Sequence, residues 1–168
     1  VPTKIIAGGY LEPRALYTST AFDKIGNYGR ESRCIHLGVD FWLPALTPVH
    51  ALLDGEIVIA VNNDKEKEYG GLVVLKHTIE DFEFYTLYGH NTVKSATRHK
   101  IGDLILKGEK IAELANYPEN GNWAPHLHFQ IMLSLFDYKN DFPGVAYLKQ
   151  IDVWKSVCPD PNLLFKSD

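Results

Sequence analysis

Short runs rich in β-branched and aromatic residues, each closed off by Gly, Pro, Asn or Asp, constrain this chain more than any other feature. Runs of that length and composition read as strands, and their recurrence with turn signals between them favours an all-β domain over a helical one. The clearest are residues 55–61, 72–77, 82–88, 110–114 and 127–133. Between the first two, the polar stretch from Asn62 to Gly71 closes on two glycines as a hairpin loop does, so antiparallel pairing is the simplest arrangement. Gly102-Asp103 signals another turn, and residues 116–122 form a longer loop. Helix is expected to be scarce. Residues 145–155 are the best candidate, residues 131–138 either continue their strand or curl, and residues 158–165 begin as a proline-stiffened turn and end as a short helix or a docked extended segment. The expected fold class is mainly β: a compact antiparallel sheet or barrel-sandwich with little helix.

Bulk properties set outer limits. With 168 residues the chain suffices for one domain with a real core and is short for two, so residues 1–168 read as a single domain. Apolar content of 45% with 23% charged residues is a globular composition. No apolar run approaches the roughly 20 residues that span a bilayer. A net charge of −4 without a dense Lys/Arg block argues against a nucleic-acid partner. The basic residues between Lys94 and Lys100 read as a solvated loop. The N-terminal run Val1-Pro2-Thr3-Lys4-Ile5-Ile6-Ala7 lacks the basic region and long apolar core of an intact secretory signal, and it does not start with Met. A processed chain or a segment of a longer protein is therefore expected, and the compartment stays open. Cys34 and Cys158 are expected as free thiols, and neither belongs to a CxxC pair of the kind that binds zinc.

The residues that carry chemistry are histidines. His126 and His128 are one residue apart, and in a strand such positions share a face roughly 7 Å apart, so either imidazole can reach a common ion or substrate. His36 and Asp40 add an imidazole and a carboxylate, the N and O donors that zinc takes. In a straight strand that pair would be about 13 Å apart, so it converges only if the chain turns at Gly38. His90 follows a strand and a glycine, where a loop end presents it. Taken singly, each histidine is more simply a hydrogen-bonded structural residue, and Asp40 a turn cap. His50, His77 and His99 keep that structural reading, with His77 also placed to serve as a hydrogen-bond partner behind the site. Jointly, His36, Asp40, His90, His126 and His128 are hard to dismiss as structural and point to a metal site.

The segments His36-Leu37-Gly38-Val39-Asp40, Thr47-Pro48-Val49-His50-Ala51 with Asp54-Gly55, Tyr88-Gly89-His90, Gly102-Asp103 with Lys107-Gly108, and His126-Leu127-His128-Phe129 resemble, in this order, the M23 (LytM, lysostaphin-like) zinc endopeptidases. The resemblance spans about residues 35–133, with 134–168 as a C-terminal extension. It implies a mainly antiparallel β fold with one zinc ion held by His36, Asp40 and His128. It implies that His126 and His90 act on the activated water and the developing oxyanion. The implied substrate is a peptide bond, typically in peptidoglycan. With no HExxH helix, the general base is a histidine.

Two features depart from that pattern. Gln130 stands where a Glu commonly follows the HLHF run, removing a charge that orients a ligand histidine. Trp123 precedes the paired histidines, either lining the groove or filling the core. Residues 123–130, 141–146 and 158–164 resemble more closely the M23-type module of large fusion proteins. In those polypeptides it accompanies a phosphotransferase-like kinase domain and a pyridoxal-phosphate aminotransferase domain, which implies an excised module, a cytoplasmic setting and a small or non-peptidoglycan substrate. Three functions follow from these readings: a zinc metallopeptidase, a silent M23-fold binding module, and a hydrolase of a small amide made by a fused enzyme.

Overall fold

The four-residue run Leu72-Val73-Val74-Leu75 is fully buried, apolar on both faces, and shows how the molecule is layered. Successive strand residues point to opposite sides, so Val73 and Leu75 pack with Ile57, Tyr88, Ile111 and Phe129, while Leu72 and Val74 pack with Leu37, Ile59, Leu87 and Phe142. A central strand with a core on each side has no reason to alternate apolar with polar residues. Each such fully buried Leu or Val contributes about 1.5–3 kcal/mol of transfer free energy.

The computed structural model describes residues 6–15, 22–27 and 29–165. Its strands are β1 (Ile6–Gly8), β2 (Asp23–Gly26), β3 (Gly29–His36), β4 (Val39–Trp42), β5 (Pro48–His50), β6 (Gly55–Asn63), β7 (Gly70–Ile79), β8 (Phe82–Asn91), β9 (Leu104–Ile105), β10 (Lys110–Glu113), β11 (His126–Met132) and β12 (Val145–Tyr147). The main sheet is seven-stranded in the order β1-β4-β11-β8-β7-β6-β9, with every pairing antiparallel. A three-stranded sheet, β12-β3-β2, and the pair β10-β5 complete it. The mainly β expectation therefore holds, and all five strands read most clearly from the sequence are present.

Helix is short where it occurs. The best helical candidate, residues 145–155, divides: Val145 and Ala146 pair with His36 and Ile35 as β12, a 3-10 turn covers Leu148–Gln150, and only Ile151–Val157 forms α-helix. Pairing with an available edge overrides the weak helical preference of Val-Ala-Tyr. Residues 94–100, read as a solvated loop, begin inside a one-turn helix, Val93–Ala96. Thr92 caps it by accepting from the Ser95 amide at 3.3 Å, and Ser95 and Ala96 are buried. Strand β11 ends at Met132 and does not continue, and the tail forms a 3-10 turn at Pro161–Leu164. Cys34 and Cys158 are both free thiols. Among the described residues no helix is long and apolar enough to cross a membrane. Residues 1–5, where the reading for a secretory signal begins, lie outside the described residues.

Candidate metal centre

Strand β3 ends on His36, the chain bends through Leu37 and Gly38, and β4 starts at Val39. Glycine is required at the bend because a Cβ at position 38 would stand 2.5 Å from the Phe129 carbonyl oxygen and 2.8 Å from the His128 ring. The bend brings His36 Nε2 to 3.2 Å from Asp40 Oδ1, the convergence that a straight strand forbids. Strand β4 then pairs with β11 in a register that sets His128 opposite Asp40 and His126 opposite Trp42. On the other side of β11 runs β8, with Gly89 opposite His128. His90 follows in the left-handed region at φ +66°, a conformation that costs a non-glycine residue about 1–3 kcal/mol and turns its backbone out of the regular ladder. All five histidine and aspartate positions singled out in the sequence meet here, and all five are buried.

The three innermost atoms form a near-equilateral triangle. His36 Nε2 lies 2.9 Å from His128 Nδ1, and Asp40 Oδ1 lies 3.2 Å and 3.1 Å from those two nitrogens. The outer ring nitrogens are committed elsewhere. His36 Nδ1–H donates to the Gly9 carbonyl at 3.0 Å, and His128 Nε2–H donates to Gln130 Oε1 at 3.0 Å. Both inward nitrogens therefore face the same carboxylate oxygen, a set of two N donors and one O donor that could hold a metal ion. Four ligands at 2.0–2.1 Å around a tetrahedral zinc stand about 3.3 Å apart. The triangle and its donor types fit that ion.

Burial opposes ionisation of Asp40, but the contacts from His128 and His36 outweigh it and hold the carboxyl far below its usual range. Burial lowers the pKa of His36. Beside the triangle, the rings of His90 and His126 are 4.2 Å apart. His90 Nδ1–H donates to the Asn120 carbonyl at 3.0 Å and His126 Nδ1–H to the Ala124 carbonyl at 2.7 Å, leaving a lone pair on each Nε2. Burial, with the neighbouring His126 and His128, pushes His90 well below the ordinary histidine value, and burial pushes His126 down as well. Two neutral, proton-accepting imidazoles thus flank the triangle, with His126 Nε2 3.9 Å from Asp40 Oδ2.

These groups open into a cavity of about 520 Å³ whose walls include Trp42, Tyr69, Trp123 and Gly144. Trp123 lines this space, with the Lys67 ammonium 4.1 Å above its ring, so the groove-lining reading is the one realised. Tyr69 donates to the Phe142 carbonyl at 3.0 Å and lies against both His90 and His128.

Gln130 corrects an expectation. It still orients His128, through Oε1, because its Nε2 donates to the Pro143 carbonyl at 3.2 Å and to Cys158 Sγ at 3.4 Å and so fixes which end faces the histidine. His77 is not a partner of the centre: its Nδ1–H donates to the Asp54 carbonyl at 2.7 Å and its Nε2 meets Thr86 Oγ1 at 2.6 Å. His50 is exposed, and His99 bonds the Ile111 carbonyl at 2.6 Å, so both keep structural readings. Sequence reasoning missed Gly9, Arg14, Tyr69 and Asn120. No residue type or spacing marks the first two. Asn120 was detectable only as part of the loop leading to the paired histidines.

Residues 34–140 match the family model described as Peptidase family M23. The chain is 31% identical to lysostaphin of Staphylococcus simulans over 137 residues, covering 80% of this chain and 26% of that protein. It is 32% identical to glycyl-glycine endopeptidase ALE-1 of Staphylococcus capitis over 114 residues, covering 68% and 29% respectively. The chain thus spans under a third of the length of these relatives. Among solved structures, the catalytic domain of the antimicrobial peptidase lysostaphin from Staphylococcus simulans superposes with a TM-score of 0.54 at 25% identity, covering 90% of this chain and 92% of that one. A catalytic domain of the prophage-encoded M23 protein EnpA from Enterococcus faecalis shares the fold at a TM-score of 0.54 and 19% identity, covering 85% and 92%.

Proposed function

This chain belongs to peptidase family M23, and on that premise we propose that it is a zinc-dependent endopeptidase in which His36, Asp40 and His128 hold the ion. The observation that carries the reading is the triangle of inward N and O atoms, each residue's other polar atom being bound by a neighbour. When bound there, zinc supplies a Lewis acid that polarises a scissile carbonyl and acidifies water. His126 accepts the water's proton on Nε2, which burial keeps unprotonated near neutrality. His90, held by Asn120, serves the developing oxyanion and the departing amine. The roles of the two are interchangeable on geometry alone, because their rings are in contact and both carry a free Nε2.

The substrate proposed is a peptide bond between small residues, glycyl-glycine first, on the strength of the similarity to ALE-1, with peptidoglycan cross-links as its natural source. A silent binding module has no chemical reason to keep two buried, neutral histidines beside a cation site, which favours the enzyme. The fusion with kinase-like and aminotransferase domains stays part of this proposal and rests on the resemblance of residues 123–130, 141–146 and 158–164 alone, as does hydrolysis of a small amide.

Elemental analysis of purified protein tests the ligand set: His36→Ala, Asp40→Ala and His128→Ala should each lose zinc, and full occupancy in all three would sink the assignment. His126→Ala should retain zinc and lose turnover against oligoglycine, peptidoglycan and a panel of small amides. An unchanged rate on the best of these substrates removes His126 from the catalytic set.

A further inference from the structure

The segment from Gly8 to Arg14 lies outside the 34–140 family match, yet it touches two of the three proposed ligands. It is pinned to β3 by three backbone hydrogen bonds, Leu11 N to His36 O at 2.8 Å, His36 N to Glu12 O at 3.1 Å and Arg14 N to Cys34 O at 2.8 Å, the last two forming an antiparallel bridge between Pro13 and Ile35. So anchored, it delivers the Gly9 carbonyl to His36 Nδ1 and the Arg14 guanidinium to Asp40. Arg14 Nη1 donates to Asp40 Oδ2 at 2.5 Å, and Arg14 Nε donates to Glu12 Oε2 at 3.0 Å, so both ends of the guanidinium are fixed. The Arg14 side chain is 12% exposed.

Gly8 completes the arrangement. It lies opposite Asp40 in the β1–β4 register, and a Cβ there would stand 2.7 Å from Arg14 Nη2. The absent side chain is the space that the guanidinium occupies. Occupying Oδ2 leaves Asp40 only Oδ1 to offer toward His36 and His128, which keeps the carboxylate monodentate and aimed at the triangle. A charge-assisted donor to a ligating carboxylate is the type of outer contact whose loss typically costs metal sites 10- to 100-fold in affinity.

We infer that Arg14, seated over Gly8 and held by Glu12, is a positioning residue that fixes Asp40 for the metal. This rests on the zinc reading above. The opposite sign has a physical basis too, since a guanidinium repels a dication, and the experiment separates the two. Zinc affinity is measured by competition with a chromophoric chelator for the wild type, Arg14→Met and Gly8→Ala. The Gly8→Ala chain keeps every hydrogen-bonding group and only displaces the guanidinium, so it remains informative if Arg14→Met folds poorly by far-UV circular dichroism. Both variants should bind zinc about 10-fold or more weakly than wild type. Their cobalt-substituted forms should show shifted, weaker d–d absorption as Asp40 turns bidentate, a signature that loss of general stability does not produce. Wild-type affinity and an unchanged cobalt spectrum in Gly8→Ala overturn the role of Arg14, as does tighter binding in Arg14→Met. A wild-type chain that takes up no zinc overturns the metal reading itself, which is a different result.

Discussion

Five side chains of the centre were legible in the sequence because imidazole and carboxylate are the groups that bind metal and move protons, and among the described residues no other group clusters them so. Strand geometry put His126 and His128 on one face, and both do face Asp40, at 3.9 Å and 3.1 Å. What spacing left open is which of the two completes the triangle. The register settles the geometry by setting His128, not His126, opposite Asp40. The residues that hold these five in place were not legible, because a backbone carbonyl at Gly9 or an arginine 26 positions from its carboxylate partner leaves no local pattern. Gln130 shows how a familiar motif position misleads. The amide serves His128 as an acceptor while its own N–H groups serve the Pro143 carbonyl and the buried Cys158 thiol, which burial pushes up to about 12 and so keeps protonated. Replacing it by the commoner carboxylate, Gln130→Glu, keeps the acceptor and loses both donors, leaving the Pro143 oxygen facing a negative charge. Stability of the zinc-free protein should fall by at least about 1–3 kcal/mol, the cost of stranding a buried polar group. An unchanged or raised thermal midpoint would show that the pocket is indifferent to the amide.

At the scale of elements, the strands with the strongest patterns were readable and the short connecting pieces were not. Strands β6, β7, β8, β10 and β11 announce themselves by β-branched runs between turn residues. The segment 145–147 does not, because its state is decided by the free edge of β3 rather than by its own residues. The same holds for the one-turn helix Val93–Ala96, whose cap at Thr92 and buried Ser95 and Ala96 are contextual. The bend between β3 and β4 is the case where one residue decides an element boundary and the site together. Gly38 was expected to permit a turn; the structure adds that it must also admit the Phe129 backbone. Gly38→Ala should therefore act on both levels. Forced contact with a backbone oxygen in a packed core costs about 1–3 kcal/mol, which lowers the melting temperature by roughly 2–4 °C per kcal/mol in a chain of this size. Because the His128 ring is the second contact, zinc affinity should drop in the same variant. Wild-type melting and wild-type zinc binding together would mean the backbone relaxes freely at this point.

For the whole molecule, the sheet order β1-β4-β11-β8-β7-β6-β9 was beyond the sequence's reach, since its decisive pairing joins β4 to β11 across a separation of 88 residues at Asp40 and His128. Local pattern carries no information at that distance. The same pairing makes the centre a tie between remote parts of the chain, and that has a thermodynamic consequence. The unfolded chain does not hold three such donors within 3.2 Å of one another, so an ion that binds them binds the folded state alone and stabilises it by mass action. At free zinc about 1,000-fold above the dissociation constant the gain is about 4 kcal/mol. With roughly 2–4 °C per kcal/mol for a domain of this length, chelation should lower the melting temperature by roughly 8–16 °C. The His128→Ala chain, lacking one corner of the triangle, should melt at a temperature that neither chelator nor added zinc moves. A wild-type midpoint insensitive to chelation would overturn the metal reading and leave the triangle as a hydrogen-bonded His–Asp–His cluster.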